Sequence, residues 1–340
     1  MSSDPSQPHI PNSYWHGHRS QRPTGSAPVW LPSPRVVAAI AGLLLHGLSV
    51  APAGQARTTC SYAGPPTNLL TVTTGGFLEF ADIRRKGAEM MVAGREEPTR
   101  CTGDAPTVLN TDSIRVVNRG DGLVNLELGG GPFAPGATPE AEGASEIEVE
   151  FRGFSDIGRV VGTPGADEFH WGEGGAHAGL NLNPSSAGDQ DVDVTLLGRF
   201  SFLVATAGAG NDTIVPAPGA VVPRDAFSDS SEGGRGHDVL IAPKNAGAIL
   251  DGGRGNDALT GGRQRDLLQG GAGVDHVAGA GGDDLLNGGP GRDLLRAEGG
   301  RDLIRARDFQ RDRIHCGDGR DRVEADRRDR LRGCERIHTG

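Results

Sequence analysis

An aspartate recurs at an unbroken interval of nine residues in the C-terminal half of this 340-residue chain. An aliphatic side chain stands two positions after each copy. The aspartates are Asp257, Asp266, Asp275, Asp284, Asp293 and Asp302, and the aliphatic residues are Leu259, Leu268, Val277, Leu286, Leu295 and Ile304. This register is typical of a solenoid, in which short repeats stack and bury a continuous core between neighbours.

The composition favours the same architecture over several conventional cores. The chain contains 55 glycines, and only 4% of its residues are aromatic. A turn-rich solenoid buries narrow aliphatic ladders coil by coil, so it needs few large side chains. We therefore predict an all-β chain. It has a parallel β-roll or β-solenoid of nonapeptide repeats on the C-terminal side, preceded by a mostly β, solenoid-like region.

Residues 35–56 have the pattern of a secretory signal peptide. The run from Val36 to Leu45 is nearly all apolar, follows Arg35 and precedes small residues suited to cleavage. It is too short to cross a membrane comfortably, so we expect no stable membrane span, with a retained N-terminal anchor as the alternative. Residues 1–34 are either a disordered extension or lie before the true start. We predict a secreted, extracellular protein.

Charge and cysteine content agree with an extracellular location. The formal net charge is −10, which argues against nucleic acid as a partner. Four cysteines allow three disulfide connectivities, and export makes disulfides plausible. Proximity in sequence favours pairing Cys60 with Cys101 and Cys316 with Cys334, one pair near each end of the mature chain.

The mature sequence divides into four segments. Residues 57–160 are β-rich, and residues 161–251 contain degenerate copies of the repeat, at 162–170, 208–215 and 233–241. Residues 252–305 hold the regular repeat. Residues 306–340 form an Arg-rich cap, stapled by its cysteines, in which glycines become scarce and the repeat loosens. A more polar terminal coil of this kind is expected where a solenoid ends.

The spacing suggests a cation site. In a unit numbered one to nine, small residues at positions one, two and four permit a tight turn, and the aliphatic residue at position eight points inward. Each unit is then half a coil, so every second aspartate stacks about 4.8 Å above the last. Carboxylates so close repel by about 1 kcal/mol even in water. Carboxylate and carbonyl oxygens together are ligands typical of Ca²⁺.

Residues 252–305 resemble the RTX, or haemolysin-type, calcium-binding repeat, whose pattern is GGxGxDxUx with U aliphatic. The resemblance implies a parallel β-roll in which Ca²⁺ is held between turns two repeats apart by carboxylates and backbone carbonyls. It implies about four such sites, framed by the pairs Asp257–Asp275, Asp275–Asp293, Asp266–Asp284 and Asp284–Asp302. It extends the metal-binding set to the turn glycines Gly252, Gly261, Gly270, Gly279 and Gly288, with additional candidates Asp212, Asp238, Asp312 and Asp321.

Three departures from the pattern should weaken individual turns. Gln264 replaces the glycine at position four, Ala280 the glycine at position two, and Ala297-Glu298 the opening pair of the last unit. The alternative to a calcium site is a metal-free solenoid whose Gly-Asp turns simply close the coils, because Asp is a good turn former.

No catalytic motif is found in residues 57–232: zincin, nucleophile-elbow and paired-acid signatures are absent from the sequence. We therefore predict a secreted, non-enzymatic protein that binds calcium ions and folds into a β-roll on export. One alternative is an extracellular enzyme, such as a polysaccharide lyase, protease or lipase, with an RTX-type C-terminal region. Another is a cell-surface adhesin. The Arg-rich C-terminus either contacts a polyanion or the cell surface, or is a salt-bridged solvated cap.

Overall fold

The fold is known from a computed structural model. It describes residues 58–75, 80–94, 98–107, 109–111, 113–118, 123–128, 148–154, 157–171, 178–182, 194–199, 202–216 and 229–339. Within these ranges every regular element is a β-strand. None of the described residues forms a helix long and apolar enough to cross a membrane. The segments 1–34 and 35–56 lie outside the described residues.

The chain contains 27 strands in the described ranges. The first fourteen are β1 (Thr59–Ala63), β2 (Leu69–Thr74), β3 (Phe80–Lys86), β4 (Glu89–Ala93), β5 (Pro98–Thr99), β6 (Ser113–Asn118), β7 (Leu123–Glu127), β8 (Glu148–Phe154), β9 (Ile157–Val161), β10 (Glu168–Trp171), β11 (Ala178–Leu182), β12 (Val194–Arg199), β13 (Phe202–Ala209) and β14 (Thr213–Pro216). The others are β15 (Asp229–Arg235), β16 (Val239–Ile241), β17 (Ala248–Arg254), β18 (Ala258–Thr260), β19 (Leu267–Ala272), β20 (His276–Ala278), β21 (Leu285–Asn287), β22 (Leu294–Gly300), β23 (Leu303–Ala306), β24 (Arg313–Gly319), β25 (Arg322–Ala325), β26 (Arg330–Arg332) and β27 (Arg336–Thr339).

These strands form two long sheets. Sheet A has 14 strands in the order β1-β2-β6-β8-β12-β11-β10-β14-β16-β18-β20-β22-β24-β26. Sheet B has 13 strands in the order β27-β25-β23-β21-β19-β17-β15-β13-β9-β7-β3-β4-β5. From β13 onward the chain alternates between the sheets and all pairs are parallel. The prediction of an all-β fold with a parallel β-roll at the C-terminal repeats is confirmed.

The aliphatic residues at position eight form two ladders that face each other inside the roll. Each ladder residue is 0 or 1% exposed, so the short strands need no larger core. Sheet A contributes Leu240, Leu259, Val277, Leu295 and Ile314, and sheet B contributes Leu250, Leu268, Leu286, Ile304 and Val323. Burying one such side chain contributes about 1.5–3 kcal/mol. The ladders therefore stabilise each coil by the same contact repeated at every turn.

Parallel coils also extend upstream of the regular repeats. Strands β2, β6 and β8 stack in sheet A, and β3, β7 and β9 stack in sheet B. The core of these coils uses larger side chains, including Phe151 of β8. The sheets run across the boundaries expected at residues 160, 251 and 305, and the division of the sequence at those positions stays a prediction.

Both expected disulfides are present, Cys60–Cys101 and Cys316–Cys334. Cys60 lies in the first strand of sheet A, and Cys316 lies in β24, near the C-terminal end of the same sheet. The second bond joins residues 18 apart in sequence, about one coil. Closing a loop of that length stabilises a fold by about 3 kcal/mol. The two bonds secure the ends of the described solenoid, where a terminal coil lacks one neighbour.

At Gly273, position four of its unit, the contact between coils requires glycine. At Gly273 the backbone has φ of 152°, which side chains rarely adopt. A Cβ at Gly273 would lie 1.4 Å from the carbonyl oxygen of Gly255 in the preceding coil. At position two, Ala280 and Glu298 adopt positive φ of 69° and 71° without being glycine. These departures from the repeat therefore hold local strain of about 1–3 kcal/mol each.

We expect Gly273→Ala to destabilise the roll by about 3 kcal/mol or more, because it combines an unfavourable φ with overlap on the neighbouring backbone. Gly281→Ala is the matched control. Its φ is not positive, and an added Cβ would meet nothing closer than 3.7 Å. Thermal unfolding of both variants in calcium tests this expectation, and equal melting temperatures would contradict it.

Candidate metal centre

The aspartate at position six turns into the roll where the glycine-rich turn meets the strand. All six predicted aspartates are between 0 and 2% exposed. Carboxylates are seldom so deeply buried unless they are paired or bind a metal. The glycines at position one of the first five units leave room for this burial, since no side chain there competes for the space.

The aspartates stack in the two columns expected from their register. In the first column the backbone N–H of Asp257 donates to Oδ1 of Asp275 at 2.9 Å, and that of Asp275 donates to Oδ1 of Asp293 at 2.9 Å. In the second column the backbone N–H of Asp266 donates to Asp284, and that of Asp284 to Asp302, both at 2.8 Å. One oxygen of each carboxylate is thus fixed by the neighbouring coil.

Both columns continue beyond the regular repeats with the same hydrogen bond. The additional candidates Asp212 and Asp238 precede Asp257, and Asp312 follows Asp293. Asp321 extends the second column after Asp302. Three further acids that the sequence analysis missed complete the columns, namely Asp167, Asp329 and Glu335. Asp167 stands in the degenerate copy at 162–170, which was the available signal for it.

The other carboxylate oxygen, Oδ2, has no partner along most of both columns. It is buried and accepts no hydrogen bond from the described residues at nine positions. These are Asp212, Asp238, Asp257, Asp275, Asp293 and Asp312 in the first column and Asp284, Asp302 and Asp321 in the second. A buried, unpaired carboxylate is costly, and a protein either protonates it or supplies a cation.

Burial raises the pKa of these carboxyl groups, and the neighbouring carboxylates in the column raise several of them further. The pKa of Asp284 rises to about 8, and that of Asp293 and Asp312 to about 7. For Asp275 and Asp302 the pKa rises to about 6. The backbone N–H donors lower these values but do not offset the burial. The columns thus hold carboxyl groups that favour either a proton or a positive ion at neutral pH.

At the ends of the columns the second carboxylate oxygen, Oδ2, accepts a hydrogen bond from a backbone N–H, whereas in the interior of the columns it accepts none from the described residues. Oδ2 of Asp167 accepts from the N–H of Thr163 at 2.8 Å, and Oδ2 of Asp329 accepts from the N–H of Asp326 at 2.6 Å. Asp266, the first acid of its column, accepts from the N–H of Gly262 at 2.7 Å. Asp266 is therefore the exception among the six regular aspartates. It belongs to the unit in which Gln264 replaces a glycine, the turn expected to bind more weakly.

The glycine at position one leaves a space whose nearest atoms are carboxylate and carbonyl oxygens. A Cβ at Gly252 would lie 2.6 Å from Oδ2 of Asp257 and 2.5 Å from the carbonyl oxygen of Gly270 in the next coil. Gly270 faces Oδ2 of Asp275 and a next-coil carbonyl in the same way, at 2.7 and 2.6 Å. Gly261, Gly279 and Gly288 each face the carboxylate of their own unit. The five units that begin with glycine thus bring a carboxylate oxygen close to a space that only glycine leaves open, whereas the last unit has Ala297 at this position.

This donor set suits a hard cation. Carboxylate and carbonyl oxygens are the ligands of Ca²⁺, whereas zinc prefers nitrogen and sulfur. Nowhere in the described ranges do three or more His, Cys, Asp or Glu side chains converge as a metal-binding group. A cation between two stacked aspartates would therefore need backbone carbonyls or water for its remaining ligands. The residues present fit calcium and do not form a zinc site.

The family of the RTX calcium-binding nonapeptide repeat (4 copies) matches residues 251–286 and 278–310. The resemblance drawn from the aspartate register is confirmed, and these residues carry RTX calcium-binding repeats. The match spans 60 of the 340 residues. No curated protein matches the chain.

The raised pKa values determine how the metal-free fold depends on pH. The pKa of Asp284 is 3.8 ordinarily and about 8 when folded, so the folded state binds more protons between these values. The stability of the metal-free protein should therefore fall as pH rises through that range. We expect a higher melting temperature at pH 5 than at pH 8 without calcium, as measured by circular dichroism. Calcium binding should release protons and tighten with rising pH. Stability that rises with pH would contradict this account.

Proposed function

We propose that calcium ions bind between successive coils of the RTX repeats and complete the folding of the roll. The observation that carries this proposal is the row of buried Oδ2 atoms without a protein partner. Within the regular repeats, Asp257, Asp275, Asp284, Asp293 and Asp302 would supply carboxylate oxygens. The backbone around Gly252, Gly261, Gly270, Gly279 and Gly288 would leave room for the ion and supply carbonyl oxygens. Asp266, already satisfied by Gly262, would contribute least.

We propose that calcium binding extends beyond residues 251–310, which carry the match to the RTX repeat family. Asp212, Asp238, Asp312 and Asp321 share the burial, the backbone hydrogen bond and the unpartnered oxygen of the regular repeats. We therefore include them as additional ligands. The columns would end where backbone donors replace the ion, at Asp167 and Asp329 in the first column.

The bound ion would supply the positive charge that the columns lack. The protein's own contribution is orientation: each backbone N–H holds one carboxylate oxygen, which keeps the second oxygen beside the open space at position one. Since the unfolded chain lacks this arrangement, the free energy of binding becomes free energy of folding. A single site filled at a hundred times its Kd adds about 2.7 kcal/mol.

We further propose that the protein acts outside the cell. The signal-like segment at residues 35–56 supports export, and so do the two disulfides, which persist in oxidising compartments. Extracellular calcium modules bind with Kd of about 0.1–1 mM, so such sites stay empty in the cytosol and fill outside. The chain would therefore gain its rigid form only after export. We propose a non-enzymatic binding or structural role as the leading function.

We expect Asp284→Asn to lower calcium affinity about tenfold and to remove at least one ion from the binding stoichiometry. Because asparagine carries no charge, the variant should also be more folded than the wild type without calcium. Asp283→Asn is the control. Asp283 is the preceding residue, its side chain is 38% exposed and it pairs with Arg301 at 3.0 Å, so the calcium affinity of this variant should stay within about twofold of the wild type.

Titration calorimetry and circular dichroism, with calcium and with EGTA, measure both effects. Equal affinities in the two variants would show that the buried column does not bind the ion. If the wild type gave no signal change at millimolar calcium, calcium-dependent folding would be wrong.

A second candidate function, an extracellular enzyme acting on polysaccharide, is favoured by one observation. Asp82 and Glu127 lie on the neighbouring strands β3 and β7, close enough for the charge of Glu127 to act on the carboxyl group of Asp82. Burial, followed by the charge of Glu127, raises the pKa of Asp82 to about 6. A carboxyl group with such a pKa can exchange protons near neutral pH. The pair is not recognisable in the sequence, because its two members are distant in the chain.

The enzyme candidate predicts that the full-length, calcium-loaded protein degrades at least one polysaccharide in a panel, measured as new reducing ends or unsaturated product. Asp82→Asn should abolish that activity, and Asp104→Asn, an exposed acid outside the pair, should leave it unchanged. Absence of degradation across the panel, or activity that survives Asp82→Asn, would eliminate this candidate.

A further inference from the structure

The outer face of sheet A becomes rich in arginine over its last three strands. The strands β22, β24 and β26 are neighbours in register, with Arg313 beside Arg330, and His315 between Arg296 and Arg332. We call Arg296, Arg313, His315, Arg330 and Arg332 the arginine face. All four arginines are exposed, while Leu295, which precedes Arg296, and Ile314, which follows Arg313, point into the core. Four guanidinium groups are thus displayed on three adjacent strands.

The arginines of the arginine face differ from those of sheet B in the same coils, because no described acid is paired with them, although β22 and β24 also carry the exposed acids Glu298 and Asp318. On sheet B, Arg305 and Arg322 both pair with Glu324, at 3.9 and 3.0 Å. Within the described ranges none of the four arginines of the arginine face forms an ion pair. A salt-bridged solvated cap therefore describes sheet B and not sheet A. The positive charge on the outer face of sheet A is therefore available to bind an anionic partner.

Direct opposition of like charges costs stability in a sheet. Arg313 and Arg330 are register partners, about 4.8 Å apart along the stacking direction. The turns beside these strands add to the charge, since Nε of Arg311 donates to the carbonyl oxygen of Arg328 at 3.3 Å and both side chains are exposed. The acid in the adjoining turn, Asp329, is already used by two backbone N–H groups. An anion bound across the strands would relieve this repulsion.

We propose that the arginine face binds an acidic polysaccharide. A guanidinium group binds carboxylate or sulfate with two parallel hydrogen bonds, and Arg313 and Arg330 place two such groups side by side on adjacent strands, where one charged polymer can contact both. Phe309, in the turn leading into β24, is 85% exposed and offers apolar surface to a sugar ring. The Cys316–Cys334 bond begins in β24 itself and indicates an oxidising compartment.

Nucleic acid fits this face less well. Binding of single strands uses a series of aromatic platforms for successive bases, and β22, β24 and β26 contain no Phe, Tyr or Trp. The proposal does not depend on calcium occupancy of particular sites, because no aspartate of either column belongs to the arginine face.

The test titrates the full chain with a heparin-derived octasaccharide at about 0.15 M salt and about 1 mM calcium, by calorimetry. The double variant Arg313→Gln with Arg330→Gln should bind at least about tenfold more weakly than the wild type. The matched control, Arg305→Gln with Arg322→Gln, removes the same charge from sheet B of neighbouring coils and should stay within about twofold. The first variant should also melt about 1–3 °C higher than the wild type, because a repulsive pair is gone.

Three results would overturn the proposal. The first is an equal loss of affinity in both double variants, which would indicate only the general charge of the C-terminal coils. The second is tighter binding of a DNA duplex, or of vesicles of anionic lipid, than of an oligosaccharide with the same number of charges. The third is the absence of saccharide binding by the wild type while circular dichroism shows that it is folded.

Discussion

Each coil of this roll buries a carboxylate and leaves one of its oxygens without a donor, and the rest of the structure is arranged around that oxygen. At Asp275 and Asp293 one oxygen is held by the backbone of the preceding coil, and the other lies beside a glycine at position one. A stack of such groups cannot remain ionised without positive charge. The stability of the coils is thus linked to what occupies the columns, protons at low pH or calcium at higher pH.

The same constraint explains where the repeat is strict and where it can vary. Position four must be glycine wherever the neighbouring backbone is as close as it is at Gly273. Position two is less restricted, since Ala280 and Glu298 accept positive φ at some cost. At the ends of the columns the protein supplies its own hydrogen-bond donor to the second carboxylate oxygen, as Thr163 does for Asp167. Disulfides then secure the ends of the solenoid.

The sequence predicted much of this because a period of nine residues leaves few arrangements for the chain. The inward ladder through Leu259 and Val277 and the two aspartate columns follow from the period alone, and the cysteine pairing followed from proximity. Features that depend on register between distant strands were not predictable. The pairing of Asp82 with Glu127, and the contrast between Arg313 and Arg322 on opposite sheets, appear only when each strand is assigned its neighbours.

The most direct test of the central claim is anomalous X-ray diffraction from crystals of the calcium-loaded protein. The account predicts anomalous peaks between successive aspartates of each column, beside Oδ2 of Asp257, Asp275 and Asp293 in the first, and a weak or absent peak at Asp266. Columns without peaks, in crystals that contain calcium and have well-ordered coils, would contradict it. The roll would then be a metal-free solenoid whose aspartates serve only to close its turns.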